Sequence, residues 1–296
     1  MDDSRLRRSR LYAPGNNPKI IQSVGIFGAD CIILDLEDSV SQEEKTAARY
    51  LAKYALKELD FGRSERIVRI NPLSSVLGKK DLEVTMEGEP DTIFLPKSET
   101  SGDIKALDIE LKRLEEKYNI KTGKTKIIPL IETAKGIINA YEIASASHRV
   151  VAISFGAEDF LSDINGKRTD KGYELLFAKS QIVCAAKAAG VQALDTVYSD
   201  FRDEEGLYKR CIEAKNMGFD GKGIIHPNQI DIVHKAFSPT KAEIEEAKQI
   251  IAAIEEAKSR GAGVASLNGK MIDKPIEIRA RRIMKLAKII EEDEFQ

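Results

Sequence analysis

The sequence predicts an α/β protein: a (β/α)8 TIM barrel with a C-terminal helical arm or lid. Eight short apolar runs alternate with stretches of helical periodicity, and the chain is 296 residues long. Several runs are continuously aliphatic, which is typical of parallel strands buried on both faces. Eight such strand–helix units favour a closed barrel over the competing doubly wound open sheet.

The strands and helices of the barrel are predicted from these runs and from the periodic stretches between them. The predicted strands cover residues 10–14, 31–37, 66–71, 92–96, 126–132, 150–155, 192–197 and 223–226. The predicted helices cover 42–59, 104–118, 135–144, 173–189 and 204–217, whereas segment 75–87 shows little helical pattern. The first and last strands carry the weakest signals.

The character of the chain changes after residue 238, so we predict a barrel domain at 1–238 and a helical extension at 239–296. Ile244, Ile250 and Ile254 lie on one helical stripe, with Glu and Lys opposite. Gly261 and Gly263 would end this helix, segment 266–275 predicts an exposed loop, and 276–291 a final helix. We expect an arm that packs on a neighbouring subunit or covers a site.

Composition excludes several classes of function. The net charge of −2 provides no basic field for nucleic acid. No apolar run approaches the ~18 residues of a membrane span, and residues 1–10 lack a signal core. Cys31, Cys184 and Cys211 have no paired spacing, so we expect small core residues without a disulfide or zinc. These features predict a cytoplasmic protein without a membrane or nucleic-acid partner.

Polar side chains collect where the predicted strands end. They are Glu37, Asp38, Arg69, Asn71, Lys97, Glu132, Glu158, Asp159, Asp195, Thr196 and His226. In a barrel these ends meet on one face. So many acids with so few cations would repel one another unless a metal ion were bound. Glu132 and Asp159 provide the two hard oxygen ligands that a Mg²⁺ site needs, with waters and substrate completing the octahedron.

Each acid also has a simpler structural interpretation. An acid after a strand often caps or begins the next helix, which accounts well for Asp38. Glu132 is followed by Thr133, a better cap, so Glu132 is left for another role. Arg69 lies between apolar neighbours and either grips a substrate carboxylate or pairs with Glu37 or Asp38.

The two ends of the barrel sequence carry weaker signals. We expect residues 5–8 to be a frayed basic tail. Arg10 and Lys19 lie near the loop at 14–18, where backbone N–H groups and a helix N-terminus would favour phosphate groups. His226 is expected to shape the turn after the eighth strand rather than to catalyse.

Several segments together resemble the beta subunit of citrate lyase, within a wider group that includes malyl-CoA and citramalyl-CoA lyases. The resemblance extends from about residue 5 to residue 285, and it depends on order and spacing more than on one motif. The matching segments are Arg8-Ser-Arg-Leu-Tyr-Ala-Pro-Gly15, Asp35-Leu-Glu-Asp-Ser-Val40, Arg69-Ile-Asn71, Leu95-Pro-Lys97, Ile131-Glu-Thr133, Gly156-Ala-Glu-Asp159, Ala193-Leu-Asp-Thr-Val-Tyr-Ser199, Gly218-Phe-Asp-Gly-Lys222 and Ser266-Leu-Asn-Gly-Lys-Met-Ile-Asp273.

The resemblance implies a Mg²⁺-dependent citryl-CoA lyase on a (β/α)8 barrel, assembled as a trimer or hexamer. It also implies roles for particular residues. They are Glu132 and Asp159 as metal ligands that face the substrate, Arg69 as the substrate-carboxylate arginine, Asp273 as an acid on the arm that reaches a neighbour's active site, Glu37 and Asp38 as acids near the metal-bound water, and Gly156 and Ala157 as backbone N–H donors to the oxaloacetate end.

The implied reaction is a retro-Claisen cleavage of a citryl thioester, with Asp273 as acid/base at the acetyl carbon. The thioester is carried either by free coenzyme A or by an acyl-carrier subunit with a CoA-like arm, which an acyltransferase alpha subunit recharges. A malyl-CoA or citramalyl-CoA lyase is the nearest alternative. Alternatives of another class are a Schiff-base aldolase through Lys97 and a non-catalytic binding module.

Overall fold

A computed structural model describes residues 5–260, 265–267 and 269–294. It divides into two compact units, Arg7–His234 and a second that contains the segment from Lys235 onward. The first unit is a closed barrel of eight parallel strands in sequential order, as predicted. In the part of the chain that the structure describes, every helix is too short or too polar to cross a membrane.

The eight predicted strands are all present, with ends shifted by a few residues. They are β1 (Ser9–Pro14), β2 (Cys31–Asp35), β3 (Glu65–Arg69), β4 (Thr92–Leu95), β5 (Lys126–Ile131), β6 (Ala152–Phe155), β7 (Gln192–Val197) and β8 (Gly221–Ile224). β1 pairs with both β2 and β8, which closes the barrel. Glycine at position 221 lets the start of β8 lie close to the backbone of Arg7, because a Cβ there would lie 1.9 Å from the Arg7 carbonyl oxygen.

Helices surround the barrel between the strands. They are α1 (Pro18–Ile21), α2 (Lys45–Glu58), α3 (Val76–Thr85), α4 (Ser101–Lys117), α5 (Ala134–Ile138), α6 (Ala140–Ala144), α7 (Ala157–Asp163), α8 (Leu176–Ala189), α9 (Glu204–Met217) and α10 (Ile230–Phe237). Short 3₁₀ helices occur at Val24–Phe27, Met86–Gly88, Tyr173–Leu175 and Pro227–Gln229. The helix predicted at 135–144 is interrupted at Asn139, and α7 and α10 were not predicted.

Apolar side chains from six of the strands form a buried cluster. The cluster consists of Cys31, Ile33, Ile67, Phe94, Ile128, Leu130, Ala152 and Leu194, with Tyr12 and Val151 packed against it. Burial of such side chains is the main favourable term in folding. The cluster makes a rigid support on which polar groups at the strand ends can be held.

Buried ion pairs lie at the amino-terminal end of the barrel. Arg7 Nε and Nη2 donate to Glu65 at 2.5 and 2.9 Å, and Arg7 Nη1 donates to Gln192. Arg8 binds Asp30 through its backbone N–H and through Nε and Nη2. Both arginine side chains are buried. The expected frayed tail is therefore wrong for Arg7 and Arg8, whose charges are matched by acids far away in the sequence.

The C-terminal unit contains two long helices and a hairpin. They are α11 (Lys241–Ser259), β9 (Ala265–Leu267), β10 (Lys270–Ile272) and α12 (Lys274–Glu294), with β9 and β10 antiparallel. Ile254, Ala257, Ala265 and Ile272 form its apolar cluster. The exposed loop predicted at 266–275 is therefore wrong in part, because apolar side chains fold it back on α11. The glycine break at 261–263 lies outside the described residues.

The cysteines are free thiols, but they do not all lie in the core. Cys31 and Cys211 are buried as expected, whereas Cys184 is exposed on α8. The interpretation as small core residues is wrong for Cys184.

Candidate functional site

Glu132 is a deeply buried acid at the carboxyl end of β5. It follows β5 directly and is 3% exposed, and its Oε1 accepts the backbone N–H of Lys97 at 2.8 Å. Burial raises its pKa to about 8, and the nearby charges of Asp159 and Glu37 add to this effect. A raised carboxylate pKa means that the surroundings disfavour the ionised form, here mainly because the side chain is buried.

Asp159 approaches the same place from the first turn of α7. Its side chain is half exposed, and its Oδ1 lies 4.0 Å from Lys97 Nζ. Gly156 allows α7 to start this close, because a Cβ at Gly156 would lie 2.7 Å from both Cβ and Oε2 of Glu132. The structure therefore brings Glu132 and Asp159 together, as the sequence predicted.

Arg69 ends β3 and is held mainly by an acid that sequence reasoning did not consider. Its Nε and Nη2 donate to the two oxygens of Asp35 at 2.6 and 2.7 Å. Burial opposes ionisation of Asp35, but the hydrogen bonds and charge of Arg69 outweigh it and lower the Asp35 pKa. The pairing was detectable in principle, since Asp35 and Arg69 are register partners at the ends of neighbouring strands.

The third nitrogen of the Arg69 guanidinium lies near the two other acids that follow β2, Glu37 and Asp38. Nη1 lies 3.0 Å from Glu37 Oε2 and 3.3 Å from Asp38 Oδ2. Arg69 was expected to bind a substrate carboxylate. This expectation is wrong for the Nε/Nη2 edge of its guanidinium, because Asp35 occupies that edge. Contact between Nη1 and a substrate stays a prediction.

Glu37 is buried beside this arginine. Burial raises its pKa to about 7, with Asp38 and Asp35 adding to the effect and Arg69 opposing it. Oε2 is close to Arg69, but the geometry is not that of a hydrogen bond, and this atom has no hydrogen-bond partner. Glu37 is thus a second buried acid whose ionised form is disfavoured, with one carboxylate oxygen that accepts no hydrogen bond.

Tyr12 is a site residue that the sequence analysis missed. Its ring centroid lies 5.2 Å from the Arg69 guanidinium carbon, and the ring packs edge-on against Phe94. Burial raises the pKa of the phenol. An aromatic residue two positions before the end of β1 was the available signal. The ring and Asp35 together restrict the orientation of Arg69.

Asp195 does not join these acids, contrary to the expectation from the strand ends. It is fully buried, and its carboxylate binds Lys222 Nζ at 2.7 Å and Lys179 Nζ at 2.9 Å. Lys179 belongs to α8, so its ion pair with Asp195 links β7 to that helix. Thr196 only accepts the backbone N–H of Ala157, at 3.3 Å.

Asn71 and His226 also have structural roles. Asn71 Nδ2 donates to the Leu36 carbonyl oxygen and to Asp81. His226 Nδ1 accepts the backbone N–H of Asn228, and its ring stacks on Phe201 with centroids 4.8 Å apart. The structure therefore agrees with the turn-shaping interpretation of His226.

The two candidate phosphate-binding residues are placed very differently. Arg10 is 1% exposed, and its Nη2 donates to the backbone carbonyl of Asp195 at 2.6 Å. Its phosphate role is wrong, because a side chain enclosed by the barrel does not meet an external phosphate. Lys19 is exposed on α1, and its role stays a prediction.

The backbone donors expected at residues 156 and 157 are already engaged. Gly156 N–H donates to the Ile131 carbonyl at 3.0 Å, and Ala157 N–H donates to Thr196 Oγ1. The expected substrate role is thus wrong for the Gly156 N–H. The contribution of Gly156 is the space that it leaves for Glu132.

Asp273 lies in the C-terminal unit, at the start of α12. Its side chain is exposed, and Oδ1 accepts the backbone N–H of Ile276 at 3.0 Å. This bond is a helix cap. The catalytic role of Asp273 stays a prediction.

The donor set at the strand ends suits a hard divalent cation. Within residues 5–260, 265–267 and 269–294, no three His, Cys, Asp or Glu side chains form a ready-made metal cluster. The two carboxylates of Glu132 and Asp159 still provide oxygen ligands, and a cation that keeps most of its waters needs few more. The raised pKa of Glu132 fits such a cation, which would neutralise the charge.

Comparison with known proteins gives a consistent result. Residues 8–227 match the family model described as HpcH/HpaI aldolase/citrate lyase. The chain is 46% identical over 287 residues to citrate lyase subunit beta of Leuconostoc mesenteroides subsp. cremoris, a match that covers 97% of this chain and 95% of that protein. It is 37% identical over 302 residues to the mitochondrial citramalyl-CoA lyase of Rattus norvegicus, covering 97% and 87%.

A solved structure extends the comparison to three dimensions. Protein CitE from Mycobacterium tuberculosis, crystallised in complex with magnesium, acetoacetate and coenzyme A, matches with a TM-score of 0.79 and 32% sequence identity. The match covers 96% of this chain and 99% of that chain, so it includes most of the C-terminal unit as well as the barrel.

Proposed function

Since the chain belongs to the HpcH/HpaI aldolase/citrate lyase family, we propose that it cleaves a citryl thioester into oxaloacetate and an acetyl thioester with the help of Mg²⁺. Family membership makes the chain a carbon–carbon lyase. The observation that carries the proposal further is the convergence of two carboxylates, Glu132 and Asp159, beside a guanidinium fixed by Asp35.

Glu132 and Asp159 would hold the Mg²⁺ ion, because carboxylate oxygens are hard donors of the kind that Mg²⁺ prefers. The magnesium in the related CitE structure supports this choice of ion. When bound, Mg²⁺ would lower the pKa of the substrate hydroxyl and polarise the ketone that forms. Glu37 and Asp38 lie around Arg69 Nη1, where they would accept hydrogen bonds from metal-bound water.

Arg69 would orient the substrate. Because Asp35 fixes the Nε/Nη2 edge, only Nη1 would contact a substrate carboxylate, and Glu37 and Asp38 would have to give way to it. A single directed contact of this kind holds the bond to be broken in one orientation. The aromatic ring of Tyr12 would keep the guanidinium plane from rotating.

The reaction breaks one carbon–carbon bond without a redox change. The hydroxyl loses its proton and becomes the ketone of oxaloacetate, while the bonding electrons move to the thioester as an enolate. A proton added to the enolate carbon gives the acetyl thioester. Asp273 is the residue proposed to deliver that proton, from the C-terminal arm of a neighbouring chain in a trimer or hexamer.

The partners follow from the same proposal. The thioester would be borne by an acyl-carrier subunit with a CoA-like arm, and an acyltransferase alpha subunit would recharge it. The 46% identity to a citrate lyase beta subunit supports this assembly over free coenzyme A esters. The citramalyl-CoA lyase relative, at 37% identity, keeps free CoA esters of citramalate or malate as the second candidate substrates.

A direct assay tests the proposal. Purified full-length chain is incubated with citryl-CoA, with Mg²⁺ or with EDTA, and oxaloacetate and acetyl-CoA are measured, with malyl-CoA and citramalyl-CoA in parallel. We expect Mg²⁺-dependent cleavage of citryl-CoA. Cleavage of only the other two esters would overturn the citryl assignment. Adduct trapping by borohydride with EDTA-resistant turnover would indicate Lys97 chemistry instead.

The role of Asp273 has its own test. Asp273→Asn should bind Mg²⁺ normally yet lose turnover by about a hundredfold or more, since a proton donor is removed without changing the metal ligands. Hetero-oligomers of Asp273→Asn with Glu132→Gln should regain activity if the arm serves a neighbour. Near-normal turnover of Asp273→Asn would remove this residue from the mechanism.

A further inference from the structure

We propose that Lys97 is a built-in counter-cation of the candidate metal ligand Asp159, from which a divalent cation must displace the Lys97 ammonium group. The inference rests on the proposed function in one respect, since it takes Glu132 and Asp159 as the cation ligands. It adds a residue that would control how tightly the cation binds and would link cation binding to substrate binding.

Lys97 contacts both carboxylates with different parts of one residue. Its backbone N–H donates to Glu132 Oε1 at 2.8 Å, while its Nζ lies 4.0 Å from Asp159 Oδ1. It stands two residues beyond β4, at the same end of the barrel as both acids. Lys97 therefore bridges β5 and α7 through the two groups that would bind the metal ion.

The backbone conformation makes this double contact possible. Lys97 has a φ of 50°, which lies in the left-handed region. A residue with a Cβ pays a steric cost there that glycine would avoid. Conformations of this kind persist where surrounding contacts enforce them, and they occur often at functional sites. The bond to Glu132 is such a contact.

The ammonium group of Lys97 can move away from Asp159. The side chains of Lys97 and Asp159 are 52% and 47% exposed, so their attraction is weakened by solvent and is readily exchanged. Arg69, in contrast, is fixed by two short bonds to Asp35. A flexible lysine stem lets Nζ swing away from Asp159 while the backbone N–H stays on Glu132.

Displacement has two consequences for binding. Before substrate arrives, the ammonium competes with the divalent cation for Asp159 and lowers its affinity. Once an anionic substrate is present, the released ammonium gains a new negative partner. Cation and substrate would therefore strengthen each other's binding, by the same factor in both directions.

Two variants separate charge from backbone conformation. Lys97→Met removes the charge and keeps the length of the side chain. Lys97→Gly removes the charge, relieves the left-handed strain and keeps the N–H that binds Glu132. Lys135→Met is the matched control, because Lys135 is an exposed lysine on α5 whose Nζ pairs with Glu99 at 3.1 Å instead of with a candidate ligand.

The measurement is the Mg²⁺ dissociation constant of the metal-free full-length chain, by titration calorimetry, without and with oxaloacetate. Without oxaloacetate, both Lys97 variants should bind Mg²⁺ about threefold to tenfold more tightly than the wild type. Oxaloacetate should tighten Mg²⁺ binding in every form of the chain, because substrate also completes the coordination of the ion, but the factor should be about threefold smaller in the Lys97 variants than in the wild type and in Lys135→Met.

Unchanged or weaker Mg²⁺ binding in both Lys97 variants, with normal circular dichroism, would overturn the proposal. Its failure is distinguishable from failure of the proposed function. Mg²⁺-dependent cleavage of citryl-CoA together with unchanged Mg²⁺ affinities would refute only the role of Lys97. Tighter Mg²⁺ binding in the variants without cleavage of any thioester would refute only the reaction.

Discussion

The two ends of the barrel use buried charge in opposite ways. At the amino-terminal end, both oxygens of Glu65 accept hydrogen bonds, from Arg7, Thr92 and Cys31. At the carboxyl end, Glu37 and Glu132 are equally buried but have few cationic partners. The first arrangement stabilises the fold, whereas the second leaves negative charge to be matched by a ligand. The contrast agrees with the general placement of barrel active sites at the carboxyl ends of strands.

The contrast also appears in the direction of the pKa shifts. Burial opposes ionisation of Asp30, but hydrogen bonds from His234 and Arg8 outweigh it and hold its pKa well below the usual range. At the other end, burial and neighbouring acids raise the pKa of Glu132 to about 8 and that of Glu37 to about 7. Mutations at the two ends should therefore separate stability from catalysis.

Glu132→Gln should give the largest effect on activity. The amide keeps the volume and an oxygen for Lys97 N–H, but it removes a metal ligand, so turnover should fall by about a thousandfold or more. At pH 9, where Glu132 is ionised, loss of its charge should raise the free energy of unfolding of the metal-free protein by several kcal/mol. Steady-state kinetics and urea unfolding would check both. A strongly destabilised variant would contradict the ligand role.

Glu65→Gln is the corresponding substitution at the amino-terminal end of the barrel. It removes the negative charge that Glu65 places against the buried Arg7 guanidinium, so the free energy of unfolding should fall by about 3–5 kcal/mol. Turnover per folded molecule, measured at low temperature, should remain near that of the wild type. As a control, Glu83→Gln weakens only exposed pairs with Arg113 and Lys117 and should cost less than about 1 kcal/mol.

Stability of the metal-free protein should change with pH in opposite directions at the two ends. As pH rises from about 4.5 to about 8, the unfolded chain releases the protons of Glu37 and Glu132 before the folded chain does, so stability falls by several kcal/mol. Asp30 contributes stability above its ordinary pKa of 3.8, and this is lost as pH falls below that value.

Urea unfolding between pH 3 and pH 9 would measure this profile. Glu132→Gln should flatten the alkaline side, and Asp30→Asn should flatten the acid side. Saturating Mg²⁺ should have the same effect as Glu132→Gln, because a bound cation holds the carboxylate ionised. A profile that rises from pH 5 to pH 8 in EDTA would contradict the assignment of unmatched acids to the carboxyl end.

The difference between the two ends also explains what the sequence could predict. The barrel and the proximity of Glu132 to Asp159 were predictable, because the order of the strands determines which residues meet at the carboxyl end of the barrel. The charge pairs were not. Arg7 and Arg8 look like a disordered tail in sequence, since the acids that bind them, Glu65 and Asp30, lie far away along the chain.

A second limit concerns the face to which a strand-end residue points. Asp195 and Asp35 both lie near the end of a strand, but Asp195 turns to the lysines of α8 and β8, whereas Asp35 turns to Arg69. Adjacent positions in a strand point to opposite faces, so an error of one residue in register reverses the role. Arg10 was misplaced for the same reason, since its side chain is enclosed by the barrel.

The smallest expected effect concerns Tyr12, at the boundary between the apolar cluster and the acids. Its ring lies against the Arg69 guanidinium, and a cation–π contact of this kind is worth ~1 kcal/mol. Tyr12→Leu should weaken oxaloacetate binding about fivefold by calorimetry, while Tyr12→Phe keeps the ring and should bind normally. In an Arg69→Met background the leucine substitution should add less than about twofold, because the ring acts through the guanidinium. Equal losses in both backgrounds would mean that Tyr12 serves only the packing beneath the site, and that Asp35 alone orients Arg69.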